Sequence, residues 1–144
     1  MLLRNFIALV FCSLTILAFS TTVIAGGGAK MKTFKGAGDM ELANMNIEGV
    51  NAYVADIVSS DDPDAPITCG LFRMEKGNPL KYTYTYDEAK IIVEGEMTIA
   101  EEGGETFHAV EGDVLYFDKG ATITFSSNSS GVGFYCGQRA LGEI

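Results

Sequence analysis

From Asn51 to Gly137 short apolar runs alternate with clusters of Gly, Asp, Asn, Ser and Pro, and no run keeps the roughly 3.6-residue period of a surface helix. The runs NAYVADIV (51–58), ITCGLFRM (67–74), LKYTYTYDE (80–88), TFHAV (106–110), VLYF (114–117), ATITFSS (121–127) and VGFYCG (132–137) each read as one strand. AKIIVEGEMTIA (89–100) reads as two strand segments hinged at Gly95. Between them lie the polar loop SSDDPDAP, a turn at EKGNP, a hairpin turn at EEGGE, and turns at EGD, DKG and NSSG. Strands of this length on turns of this kind, without internal repeats, predict an antiparallel β-sandwich or small β-barrel. A length of 144 residues gives room for one domain with a real core and not for two.

The first 25 residues break the pattern. MLLRNFIALVFCSLTILAFSTTVIA carries one basic residue, Arg4, then a long apolar run from Phe6 to Phe19, and closes on Val23-Ile24-Ala25 before three glycines. That layout predicts a secretory signal peptide over 1–25, cleaved after Ala25, a flexible junction over 26–30, a domain over 31–144, and a secreted or periplasmic location. An uncleaved anchor competes with this reading, because the run approaches the roughly 20 residues that span a bilayer. So does a start at Met31, where MKTFKGAGDM would open a cytoplasmic chain equally well.

Loss of the leader removes Arg4 and no acid, leaving nine Lys and Arg against 19 Asp and Glu, a net charge of −10. So acidic a chain repels phosphate backbones and anionic lipid, which argues against nucleic acid as a partner and against stable membrane association after cleavage. Cys12 departs with the leader. Cys69 and Cys136 remain, a pair for which a disulfide is permitted but not demanded, and neither belongs to a zinc-type cluster.

The candidate chemistry lies in YTYTYDE. Alternate residues of a strand share a face, so Tyr82, Tyr84, Tyr86 and, if the strand stays regular, Glu88 stand together. Asp87 has the opposite parity and points outward or caps a turn. A carboxylate on an inward face is costly without a partner or a purpose, and buried phenols need partners for their hydroxyls. The plain alternative is that the aromatics fill the core and Glu88 bonds to backbone or to a tyrosine. By the same parity Ile123 and Phe125 share a face, Phe107 and Ala109 form an inward pair, and His108, the single histidine, lies on the surface.

The spacing of these residues resembles the cupin family. Its first motif is His-x-His, three or four residues, Glu, six residues, Gly; its second is Gly, five residues, Pro-x-Gly, two residues, His. Here Tyr82, Tyr84, Glu88 and Gly95 keep the first frame, and Gly112, Asp118-Lys119-Gly120 and Ile123 keep the second. Within cupins the chain is similar to the small EutQ-like ethanolamine-utilisation family. The likeness lies in Tyr82, Tyr86-Asp87-Glu88, Glu94-Gly95 and Gly112-Asp113-Val114, and in MKTF and GLFRMEKG. The resemblance implies an all-β, single cupin-type double-stranded β-helix, a jelly-roll barrel, with the tyrosine face inside it.

A cupin's four metal ligands would then read Tyr82, Tyr84, Glu88 and Ile123. Neutral tyrosine is a poor ligand, so no metal and no other cofactor is expected. The implied pocket has Tyr82, Tyr84, Tyr86 and Glu88 on one wall and an apolar far wall of Ile123 and Phe125. Three functions follow as expectations. The first is a cupin binding a small polar metabolite. The second is a metal-independent enzyme of small-metabolite metabolism, of ethanolamine or acetate type, with Glu88 as acid or base and Tyr82 and Tyr86 orienting the substrate. The third is a structural domain that pairs as a homodimer, as cupins often do through their sheets. In the cupin arrangement the strands bearing Cys69 and Cys136 are antiparallel neighbours, which puts the two thiols within bridging reach.

Overall fold

The computed structural model describes residues 30–144. The expected leader and nearly all of the expected junction lie outside the described residues, and the compact unit runs from Thr33 to Ile144. Among the described residues there is no α-helix; one 3-10 turn (Ala37–Asp39) precedes nine strands. These are β1 (Ala43–Asn44), β2 (Ala52–Ser59), β3 (Thr68–Glu75), β4 (Leu80–Thr83), β5 (Glu88–Glu101), β6 (Thr106–Val110), β7 (Val114–Phe117), β8 (Thr122–Ser126) and β9 (Ser130–Gly137).

All strand pairs are antiparallel, and β5 belongs to two groups of them. Its first half lies between β9 and β7, and from β9 the ladder continues through β3 and β2 to β1. Its second half lies between β6 and β8, and β8 carries β4. The transfer happens where the sequence puts a hinge. The register with β9 shifts between Ile92 and Glu94, and Gly95 follows at φ 67°, a conformation that favours glycine. A side chain could not replace it, because a Cβ there would stand 2.1 Å from the Ser130 carbonyl oxygen.

The two halves close on a core that includes Phe72, Met74, Ile92, Met97, Phe117 and Phe125. Phe125 meets Phe72 at 5.3 Å and Phe117 at 5.7 Å between ring centroids, in the tilted and edge-on geometries aromatic pairs prefer. The result is an all-β jelly-roll barrel.

Three expectations need correction. LKYTYTYDE is not one strand: β4 ends at Thr83 and β5 begins at Glu88, with a corner over 84–87. The corner is held by Tyr84 N–H donating to the Ala121 carbonyl (2.9 Å), and by Gly120 and Gln138 N–H donating to the Tyr84 and Asp87 carbonyls (2.8 and 2.9 Å). Inside–outside alternation survives it, because Tyr84, Tyr86 and Glu88 are all buried while Thr83 and Thr85 are exposed. Asp87 accepts the Lys119 N–H (2.7 Å) and so caps the β7–β8 turn.

Phe107 does not pack inward beside Ala109. It is 53% exposed where Ala109 is 2% exposed. β6 pairs only with the far half of β5, so Phe107 stands over Ile99 at the barrel's rim, on an outer groove shared with Leu115, Tyr116 and Ala121. His108 is on the surface, with Nδ1 3.7 Å from Glu96 Oε2.

The third correction concerns Ile123. It is buried, as its parity requires, but it faces the end of the barrel that borders the Phe107 groove. Only Phe125 of that pair reaches the interior cavity, because it lies two residues further along β8, opposite Leu80.

Candidate ligand site

The corner between β4 and β5 turns three phenols and one carboxylate into the barrel. Tyr84 O–H donates to Glu88 Oε1 at 2.9 Å, and the Tyr82 and Tyr86 hydroxyls are bonded to each other at 3.1 Å. The Tyr84 ring stacks on Phe117 with centroids 4.8 Å apart, which fixes the hydroxyl's aim. Two residues beyond Glu88 on the same face of β5 comes Lys90. Both are 4% exposed, and Lys90 Nζ lies 3.2 Å from Glu88 Oε1. The ammonium is caged by aromatic faces, with the Phe72, Phe125, Phe117 and Tyr135 centroids at 4.5, 4.8, 5.6 and 5.7 Å.

Room for these long polar side chains comes from the neighbouring strand. A Cβ at Gly133 would lie 2.8 Å from Lys90 Cδ, and one at Gly137 would lie 2.8 Å from Tyr86 Cε2. Thus Gly133 and Gly137, on either side of Tyr135 in β9, leave the space that Lys90 and Tyr86 fill.

A second, part-buried ion pair adjoins the first. Arg139 donates Nη2–H to Asp56 Oδ1 (2.6 Å) and Nη1–H to Asp56 Oδ2 (3.0 Å), a bidentate pair. Asp56 also accepts Tyr135 O–H at 2.6 Å and Gly142 N–H at 2.8 Å. The guanidinium lies 5.6 Å from the Tyr86 ring centroid and 5.5 Å from that of Tyr135.

Burial raises the Tyr84 hydroxyl above its ordinary pKa, and the charge and hydrogen bond of Glu88 add to the effect. Tyr86 and Tyr135 are raised by burial first, then by the bonds to Tyr82 and to Asp56 respectively. All three phenols therefore stay neutral. Burial lowers Lys90, and Glu88 opposes it without cancelling it. For Asp56 burial alone would raise the pKa, but the hydrogen bonds from Arg139, Tyr135 and Gly142 outweigh it and hold the carboxyl below its usual range.

The cavity these groups surround measures about 40 Å³ as swept by the centre of a water-sized sphere. Of the residues singled out in the sequence, Tyr82, Tyr84, Tyr86, Glu88 and Phe125 border it. Lys90, Tyr135, Arg139 and Phe72 border it too, and none of these stood among the expected residues. Lys90 carried a readable signal, since it shares parity with Glu88. Arg139 carried none, because it lies beyond the last strand and meets Asp56 83 residues away.

The donor set does not fit a divalent cation. At the cupin ligand positions stand neutral phenols and an isoleucine, and the one carboxylate already faces an ammonium 3.2 Å away. Among the described residues no three His, Cys, Asp or Glu side chains converge. On the other side of the sheet, Cys69 of β3 and Cys136 of β9 stand directly opposite each other, with alpha carbons 4.0 Å apart and a disulfide between them.

A jelly roll with its interior site at the start of the long strand β5, and with Gly95, Gly112 and Gly120 all at positive φ, is a cupin. Residues 62–132 match the family described as EutQ-like cupin domain. The chain is 32% identical over 108 residues to acetate kinase EutQ of Escherichia coli K12, and 30% identical over 108 residues to that of Salmonella typhimurium LT2. Each match takes in 75% of this chain, which spans 41% and 42% of the length of those curated relatives.

Among solved structures, a putative ethanolamine utilization protein Q from Salmonella typhimurium LT2 superposes with a TM-score of 0.59 at 25% identity, over 74% of this chain and 90% of that one. A cupin superfamily protein of Desulfitobacterium hafniense gives a TM-score of 0.55 at 15% identity, over 78% and 94% of the two chains, and so supports the fold alone. The chain belongs to the EutQ-like cupins.

Proposed function

We propose that this EutQ-like cupin binds a small polar metabolite inside its barrel, without a conventional metal site. The observation that carries this is the Glu88–Lys90 pair. Two charges with a ring of phenol hydroxyls are kept beside an internal cavity, where packing alone would favour apolar side chains. A cavity of about 40 Å³ exceeds the ~10–15 Å³ needed to seat one water, so the site suits a small molecule. Natively purified protein, opened by denaturant and analysed by mass spectrometry, should release one such compound in stoichiometric amount. An empty barrel that also fails to bind any member of a library of small alcohols, amines, acids and aldehydes would refute the reading.

Catalysis is the second reading, with Glu88 as acid or base and Tyr82 and Tyr86 orienting the substrate. Its support is the name of the two relatives, acetate kinase EutQ. Acetate matches the cavity in size, whereas a nucleotide would have to sit outside it. Glu88→Gln separates the two readings: an enzyme loses turnover with binding largely kept, while a binding module has no turnover to lose.

Two further proposals concern context. Oxidation of Cys69 and Cys136 suits an oxidising compartment, which supports a secreted or periplasmic location. Pairing of two copies is supported by a row of exposed apolar side chains, Val114, Ile91 and Phe134, in register across β7, β5 and β9. A two-fold partner would bury this self-complementary patch. Val114→Asp should then shift a dimer to monomer in sedimentation, and a wild-type monomer at high concentration would end the idea.

A further inference from the structure

Among the described residues Lys90 is the one amine lining the cavity, and binding a polar ligand by phenols alone would not require it. Its surroundings are those of an amine nucleophile rather than of a solvated cation. Nζ is withdrawn from water, borders the cavity, and has its proton acceptor, Glu88 Oε1, 3.2 Å away. The same carboxylate oxygen is held in place by Tyr84 O–H at 2.9 Å. From the caged amine, the adjoining carboxylate and the small cavity we infer that Lys90 captures a short-chain aldehyde or ketone as an imine. The inference rests on the cavity being a ligand site, as proposed above, and adds the class of ligand and the bond it forms.

The chemistry balances within the site. The Lys90 ammonium gives one proton to the Glu88 carboxylate, the freed amine adds to the carbonyl carbon as the C=O π bond breaks, and a proton moves from the added nitrogen to the oxygen to give a neutral carbinolamine. Glu88 acid returns its proton to that hydroxyl, which leaves as water as the nitrogen lone pair forms the C=N bond. In sum, an ammonium and a carbonyl compound give an iminium and one water, with no change of oxidation state. The site carries one positive charge on nitrogen before and after. The aromatic faces of Phe72 and Phe125, at 4.5 and 4.8 Å, and the Glu88 carboxylate that attract the ammonium therefore attract the iminium too. The small cavity favours a short carbon chain.

The burial that lowers Lys90 favours the free amine, in the sense this capture needs. Lys76 and Lys81, exposed on the surface, have neither the acceptor in a dry site nor the cage.

The test is reductive trapping. The purified protein is treated with propanal and cyanoborohydride, digested, and each lysine's N-propyl content is followed by peptide mass spectrometry. Lys90 is expected to be labelled at least about tenfold faster than Lys76 or Lys81, a ratio that corresponds to about 1.4 kcal/mol of barrier. Hexanal should lose that preference because it does not fit. Lys90→Arg keeps a cation beside Glu88 but cannot form an imine, so it should give no interior adduct.

Equal labelling of all lysines, or labelling of the exposed ones alone, overturns the inference. Retention of propanal or 1-propanol in ligand-detected NMR without any Lys90 adduct overturns covalent capture while leaving the binding function standing. Failure of every small polar compound to bind overturns both.

Discussion

Replacing Lys90 by Met is the sharpest probe of the barrel interior. The substitution preserves side-chain length and apolar volume but leaves Glu88, 4% exposed, with Tyr84 O–H as its remaining donor. Removing one member of a buried ion pair costs about 3–5 kcal/mol, whereas replacing both is often close to neutral. Lys90→Met and Glu88→Gln should each fall in that range. The double variant, in which a neutral amide still accepts from Tyr84 and a thioether lies in the aromatic cage, should lose less than either single one.

The coupling measured by a urea-denaturation cycle at neutral pH is then about 2 kcal/mol or more. The pH dependence gives an independent check. The folded pKa of Lys90 lies below its unfolded value of about 10.4. Over the interval between the two values the unfolded chain binds the extra proton, so stability rises with pH. The contribution is fully present above about pH 10.4 and is lost as pH falls through the folded pKa. Lys90→Met should lack this alkaline rise. Single variants that cost under about 1 kcal/mol and add without coupling would refute the claim that the charges are buried as a pair.

Gly133→Ala would place a Cβ 2.8 Å from Lys90 Cδ and should cost about 1–3 kcal/mol by overpacking, with the cost reduced in the Lys90→Met background; equal costs in both backgrounds would contradict the contact. Asp56→Asn should destabilise strongly by stranding the Arg139 guanidinium. Because the folded pKa of Asp56 is depressed, its contribution is present above about pH 3.9 and lost on acidification through the folded value, so the variant's acid limb should be flatter than wild type. Reducing the Cys69–Cys136 disulfide, which spans 67 residues, should cost about 4 kcal/mol by loop entropy, read as a lower urea midpoint with dithiothreitol; an unchanged midpoint would mean that the bond does not form.

The succession of strands and turns was readable because it rests on local signals, and the jelly roll followed from the resemblance those signals carry. Turn glycines at 95, 112 and 120, alternation along 82–88, and the spacing of both motifs each report a property of a few neighbouring residues. The same signals misled wherever a side chain's environment depends on how far the other half of the barrel extends. Phe107 has inward parity, yet nothing covers it at the rim, and Ile123 is inward but at the wrong end for the cavity. The charged part of the site was partly legible. Lys90 follows Glu88 by two positions, which in a strand means the same face, and Gly133-x-Tyr135-x-Gly137 shows the facing strand making room. The Asp56–Arg139 pair was not legible, since its members meet only when the chain beyond β9 returns against β2.

Charge placement bears on which ligand class the barrel accepts. Each buried cation, Lys90 and Arg139, is matched by one carboxylate, Glu88 and Asp56, so the two pairs are neutral in sum. The excess of −10 borne by the chain from Gly26 onward therefore lies outside the barrel. Such an exterior slows the approach of anions and leaves neutral molecules unaffected, an effect that salt screens with a Debye length of about 8 Å at physiological strength. Stopped-flow association should therefore quicken with added salt for acetate and stay level for propanal. If acetate binds in the barrel with affinity and rates unaffected by salt, the exterior field does not reach the cavity mouth, and the preference for a neutral carbonyl ligand loses this support.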